Sequence, residues 1–197
     1  MNFETTQHIT LENDRVLLRP LLTEDSEHLT VFSLQEPELW TYSLLPANGL
    51  ENLDTYVSIA LEKRARGDSY PFIVFDKKTN AFAGSTRFYD IQNHHKSVQL
   101  GYTWYGKAFQ RTGLNRHCKF LMLEFAFETL KMERVEFRAD ANNARSIAAM
   151  KGIGCTVEGI LRNNCSSPTG RRSSIVLSIL KDEWFSDIKE SLQSKLV

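Results

Sequence analysis

Cysteine is scarce in this sequence of 197 residues. Its three cysteines, Cys118, Cys155 and Cys165, are odd in number, widely spaced and without any C-x-x-C pair, which argues against a disulfide scaffold or a zinc site and for reduced thiols in a cytoplasmic protein. Net charge is also missing. With 24 basic and 24 acidic residues nothing draws the chain to nucleic acid or to a lipid surface. No apolar run approaches a membrane span, and the opening MNFETTQHITLENDR lacks the charged and apolar regions of a signal peptide. The glycosylation sequon at Asn164, Cys165 and Ser166 is therefore expected to be silent. No repeat, low-complexity tract or linker divides the chain, so residues 1–197 are expected to form a single domain.

What is present centres on residues 98–130, VQLGYTWYGKAFQRTGLNRHCKFLMLEFAFETL. Val98, Leu100, Tyr102 and Trp104 alternate with their neighbours and predict a strand. From Leu114 the period changes: Leu114, Cys118, Leu121, Met122, Phe125 and Thr129 follow at steps of three and four, while Phe120, Leu123 and Phe127 make a second apolar side. A helix apolar on two sides is a buried one. The loop between strand and helix, GKAFQRTGLN, delivers the chain through Gly113 to the free N–H groups and positive dipole end of the helix, an arrangement suited to phosphate. An ordinary strand-to-helix turn containing a glycine would look the same locally. GYTWYGKA, residues 101–108, nearly matches a nucleotide-hydrolase phosphate loop, but Ala108 replaces the magnesium-binding hydroxyl and the tyrosines belong to a strand.

Around that unit, RVLLRPL (15–21) predicts a first strand, and Thr23 with Glu24 and Asp25 is expected to start a helix that carries acids where the dipole favours them. The irregular stretch 36–46 carries Trp40 and Tyr42, which either cap the core or line an acceptor pocket. Residues 48–66 predict a helix capped by Asn48, with Leu50, Leu53, Val57, Ala60 and Leu61 on one face and Gly67 at its end. Residues 70–76 and 81–91 read as a hairpin, and the adjacent His94 and His95 as a solvated turn that holds no metal. Next come a strand (133–140), a short helix (141–151) capped by Asn142 or Asn143, strands at 155–162 and 171–180 joined by a turn at 167–170, and a terminal helix (182–196). The element order predicts an α+β or mixed α/β sheet with helices on its faces.

In that order and spacing, RVLLRPL, Gly84 in AGSTRF, GYTWYGKAFQRTGLN, RVEFRADANNARSIAAMKGIG, EGILR and the Glu183–Trp184 pair resemble the GCN5-related N-acetyltransferase (GNAT) superfamily, and within it the RimJ/RimL-like branch, over residues 14–184. The resemblance implies a mixed, mostly antiparallel sheet and acetyl-CoA as co-substrate, with no metal. In the family's Q/R-x-x-G-x-G/A pattern, Gln110 and Gly113 hold their places and Asn115 stands where a small residue is usual, a change also found in this branch. By resemblance, the main chain of Phe109, Gln110, Arg111, Thr112, Gly113, Leu114 and Asn115 would hold the pyrophosphate, Leu100, Gly101, Tyr102 and Thr103 would pair with pantetheine as an added strand, and Asn143 would contact the coenzyme beyond the pyrophosphate.

The implied chemistry is direct attack of an amine on the thioester. The N–H near Tyr102 would steady the oxyanion, and an acid would protonate the leaving thiol. Many relatives use a Tyr in Y-x-K-x-G-F, where this chain has Met150, and in this branch the place of a proposed serine acid falls on Ser146. No carboxylate can be carried over as a base. Glu136, Glu158, Glu36 and Glu38 are the acids to consider, although an α-amine, with a pKa near 8, is partly neutral without one. The acceptor is then a protein N-terminus or small-molecule amine, with Trp40 and Tyr42 as its candidate contacts. Two other readings stand beside transfer: an acyl-CoA-binding sensor without catalysis, and a nucleotide-binding protein built on GYTWYGKA. The C-terminal helix and last two strands are the surfaces that could pair two subunits as a homodimer.

Overall fold

The computed structural model describes residues 2–168 and 170–196. Its strands are β1 (Leu11–Glu12), β2 (Val16–Pro20), β3 (Ser69–Asp76), β4 (Ala81–Gln92), β5 (Ser97–Tyr105), β6 (Arg134–Asp140), β7 (Thr156–Ser167) and β8 (Gly170–Leu180). The helices are α1 (Ser26–Gln35), α2 (Leu50–Ala65), α3 (Leu114–Glu124), α4 (Ala144–Gly152), α5 (Lys181–Glu183) and α6 (Lys189–Gln193). The strands form one sheet in the order β1-β2-β3-β4-β5-β6-β8-β7, antiparallel except for the β5–β6 pair. This is the mixed, mostly antiparallel sheet expected.

Helices cover both faces of that sheet. On one, Leu29 and Phe32 of α1 and Leu53, Tyr56, Val57 and Ala60 of α2 pack over Ile73. On the other, Leu114, Cys118 and Met122 of α3 pack with Val16, Leu18, Phe72 and Leu100. A strand buried from both sides reads as a continuous apolar run, and in β3 only Phe75 escapes full burial. The two-sided apolar pattern of α3 is likewise realised, since residues 117–123 are all buried and Thr129 is the exposed exception. Each Leu or Phe removed from water in this way contributes about 1.5–3 kcal/mol.

The helix expected from Thr23 opens there as a 3-10 turn, Thr23–Asp25, that runs into α1, and Asp25 Oδ2 accepts the Leu22 N–H at 2.8 Å while Arg19 clamps the same carboxylate at 2.6 and 2.7 Å. Three local expectations are corrected. Helix α2 is preceded by Gly49 at φ +84°, not capped by Asn48, so Leu50 begins the first turn and is exposed, while Tyr56 takes the buried position. Strand β7 runs on to Ser167, well past residue 162, because β8 keeps pairing with it beyond a register shift between Leu161 and Cys165. Thr169, part of the predicted turn there, lies outside the described residues. The C-terminal helix is not a free surface. Trp184, Ile188 and Leu192 are buried, Trp184 stacks on Phe127 with centroids 5.7 Å apart, and its Nε1 donates to Glu128 at 3.0 Å. That face is used by the core, while Phe185 on the same helix is 54% exposed. Strand β1 carried no pattern long enough to be foreseen.

The feature that builds the site is a parting of β5 from β6. The parallel ladder holds only Ser97↔Arg134, Val98↔Val135 and Gln99↔Glu136, after which β6 stays with β8 and β5 stays with β4. On the β4 side, Arg87 faces Gly101 and Ser85 faces Trp104, so Tyr102 and Thr103 together oppose Thr86. That is a β-bulge, with Tyr102 at φ +49°, and it bends β5 away from its neighbour. Gly84 lets the strands close up beside it, for a Cβ there would lie 2.1 Å from the Trp104 carbonyl oxygen.

Candidate active site

Where β5 and β6 part, a cleft of about 1460 Å³ opens. Leu100, Gly101, Tyr102 and Thr103 line it from β5, Phe109, Gln110, Arg111, Gly113 and Asn115 from the loop before α3 and its first turn, and Asn143 and Ser146 from α4. Two of the expected coenzyme contacts are not among its lining: Leu114 is buried in the core, and the Thr112 hydroxyl donates to Phe109 O at 2.8 Å.

The loop is shaped for an anion. Arg111 at φ +61° and Gly113 at φ +89° turn the main chain through left-handed conformations, which gather successive N–H groups into a concavity. Among the described residues, the backbone N–H groups of Arg111, Thr112, Gly113 and Asn115 have no protein acceptor. They sit at the N-terminus of the 11-residue α3, where the dipole favours negative charge. The Gln110 side chain is a brace and not itself free to bind: Nε2 donates to Tyr105 O and Oε1 accepts from Arg145, both at 2.8 Å. The residues present thus fit a pyrophosphate.

On α4, Asn143 is the cap, its Oδ1 accepting the Ser146 N–H at 3.1 Å. The Ser146 hydroxyl is half-buried, and among the described residues it bonds to nothing, its own helix included. On α3, Lys119 is the group that sequence reasoning missed. Its Nζ lies 2.7 Å from Thr103 Oγ1 and 3.3 Å from Thr86 Oγ1, with no carboxylate paired to it among the described residues, and burial pushes its pKa down to about 7. One turn before it stand Asn115 and Arg116, so no apolar stripe marked it in the sequence.

Trp40 is buried against Trp104, with ring centroids 4.7 Å apart, and also lines the cleft, where the exposed Tyr42 joins it. Arg172 fixes this aromatic segment, donating from Nη1 to Tyr42 O at 3.3 Å and from Nε to Ser174 at 3.1 Å. The four acids weighed as bases are engaged elsewhere. Glu36 accepts the Lys107 N–H at 2.8 Å, Glu38 pairs with the Lys107 side chain, and Glu136 bridges Arg134 and Arg138, each at 2.7 Å. Glu158 is held by Arg134 and by Ser178, which pulls its pKa down to about 2. The acid that does line the cleft near α4 is Asp140. Cys118 and Cys155 are pushed up to about 11 and about 12 by burial, the wrong direction for a nucleophile. His94 and His95 are exposed, and among the described residues no group of three or more His, Cys, Asp or Glu could hold a metal ion. No helix among them is long and apolar enough to cross a membrane.

Residues 15–156 match the family model of the acetyltransferase (GNAT) domain. YdaF of Bacillus subtilis (strain 168), a candidate ribosomal N-acetyltransferase, is 24% identical over 174 residues, covering 87% of this chain and 94% of YdaF. A candidate acetyltransferase of T. thermophilus, known from its crystal structure, is 29% identical with a TM-score of 0.85, covering 95% of this chain and 97% of that one. The microcin C7 self-immunity acetyltransferase MccE, crystallised with acetyl-CoA and AMP, shares the fold at a TM-score of 0.74 and 19% identity, covering 85% of this chain and 93% of its own.

Proposed function

Since the chain belongs to the acetyltransferase (GNAT) family, in its RimJ/RimL-like branch, we propose that it passes the acetyl group of acetyl-CoA directly to a primary amine held in the cleft between β5 and β6. The observation that carries this reading is the coincidence of two unmatched main-chain edges: the unpaired stretch of β5 from Leu100, and the free N–H groups before α3. The first suits an extended amide-bearing arm added as a strand, the second a diphosphate.

Each residue then has a part. The bulge turns the Tyr102 backbone out of the ladder, so that its N–H can meet the oxygen on which charge develops. The free Ser146 hydroxyl donates to the departing sulfur. Lys119, beside Thr103, is a second proton source: its ammonium, made more acidic by burial, gives a proton to the leaving thiolate more readily than an ordinary lysine would. Trp40 and Tyr42 border the acceptor. With the four glutamates engaged, and Asp140 in the cleft accepting the Asn142 N–H at 2.8 Å and facing Arg172 at 4.0 Å, a substrate α-amine that is already partly neutral suits the site better than a lysine side chain, so the acceptor is a protein N-terminus or a small amine.

Isothermal titration with acetyl-CoA, followed by thiol release over a panel of peptides, polyamines and amino sugars, tests this. Binding with turnover is expected. Binding without turnover on any amine leaves only a sensor, and no binding removes the reading altogether.

Lys119 gives a separate pH signature. Its folded pKa lies below the unfolded value, so between about pH 7 and about pH 10 the unfolded chain carries a proton that the folded one has lost, and stability rises with pH over that window. In Lys119→Met this rise is expected to vanish, leaving the variant more stable than the parent below about pH 7, as urea unfolding at about pH 6 and about pH 9 would show.

A further inference from the structure

Arg87 lies on β4 opposite Gly101, at the edge of the bulge, and is 1% exposed. Its guanidinium is sandwiched between aromatic rings, with Cζ 4.8 Å from the Tyr56 centroid and 4.3 Å from that of Tyr102. Its Nε and Nη2 are buried with no hydrogen-bond partner among the described residues. Ser69 on β3 is also fully buried, and its Oγ is unpartnered too. Both residues line a second cavity, of about 310 Å³.

A permanently charged guanidinium placed in low dielectric with two idle donors is costly, and ring stacking offsets only part of that cost. What would complete the site follows from the atoms on offer. Arg87 presents N–H donors in a planar fork and Ser69 a hydroxyl, so the matching group is planar, negative and purely an acceptor, which describes a carboxylate. The acids near the cavity do not fill this role. Asp90 accepts from Gln92 and Gln99 at 2.8 and 2.7 Å, while Asp68 is exposed and Lys63 lines the same cavity. At roughly 30 Å³ per water the space suits a carboxylate with a few methylenes, not a macromolecular segment.

The cavity adjoins the place of reaction. Tyr89, Asp90 and Tyr102 line both it and the cleft, so a molecule seated on Arg87 reaches the bulge past the Tyr102 ring. We propose that Arg87 and Ser69 form a carboxylate subsite, and that the acceptor is a small amine that also carries a carboxylate, an amino acid or short peptide with a free C-terminus. This deepens the reading under Proposed function and rests on it.

Matched pairs test it: free amino acids and dipeptides against their C-terminal amides, which keep the amine and lose the carboxylate. The parent protein is expected to favour the acids in kcat/KM by about tenfold or more, a preference reduced in Ser69→Ala and lost in Arg87→Met. The corresponding N-acetylated acids and amides, used as products in thermal-shift titration, read the same preference without turnover. Acetyl-CoA titration of each variant reports whether it is folded and separates this proposal from the broader one. If acetyl-CoA binds while the parent shows no preference for acid over amide in either assay, the subsite is refuted and the transferase reading stands. Equal or better use of long peptides with blocked C-termini, as for a protein N-terminus, also refutes it. A preference that persists in a folded Arg87→Met does the same.

Discussion

Gly113→Val is expected to weaken acetyl-CoA binding by about a hundredfold while leaving the protein folded. Gly113 stands at φ +89°, where a side chain costs about 1–2 kcal/mol and a β-branched one more. To relieve that strain the loop must turn back toward ordinary conformations, and it then loses the convergence of the Arg111, Thr112 and Gly113 N–H groups. A hydrogen bond to a charged group contributes about 1.5–3 kcal/mol, so one such bond plus the strain gives roughly 3 kcal/mol, or two orders of magnitude in Kd. Calorimetric titration reads it. Circular dichroism should change little, because the buried face of α3 begins beyond the substitution. An unaltered Kd would mean that the diphosphate lies elsewhere.

Ser146→Ala should separate chemistry from binding. The hydroxyl has no structural partner among the described residues, and the Ser146 backbone N–H keeps its bond to Asn143, so α4 and its cap survive the change. Loss of a positioned acid costs about a hundredfold or more in kcat, with little change in acetyl-CoA affinity. Thiol release at saturating acetyl-CoA measures the first and titration the second. If kcat holds, proton delivery belongs to another group, and Lys119 is the next one to replace.

Much of this was legible in the residues, and for identifiable reasons. The strand, loop and helix at 98–130 announced themselves because their periods differ, two against three or four, and because a two-sided apolar helix has one home, the interior. Asn143 was legible as a cap because the chemistry of that position is local. The expectation that failed most plainly depended on a partner far away in the chain: the C-terminal helix reads as a free surface, whereas Trp184 stacks on Phe127. Lys119 and Arg87 were passed over because nothing in their immediate neighbourhood reveals burial. Only the assembled sheet shows that one charge faces two threonine hydroxyls and the other two tyrosine rings.

The three-rung ladder between β5 and β6 has a mechanical consequence. Five strands on one side and three on the other share a seam that main-chain bonds stitch only at its base, with α3 crossing above as the covalent link. A molecule lodged along the open part of that seam acts as a splint as well as a reagent, joining the two halves into a more cooperative unit. Amide exchange at residues 100–103 should therefore slow when coenzyme is present, and the same region should be among the first to loosen when it departs.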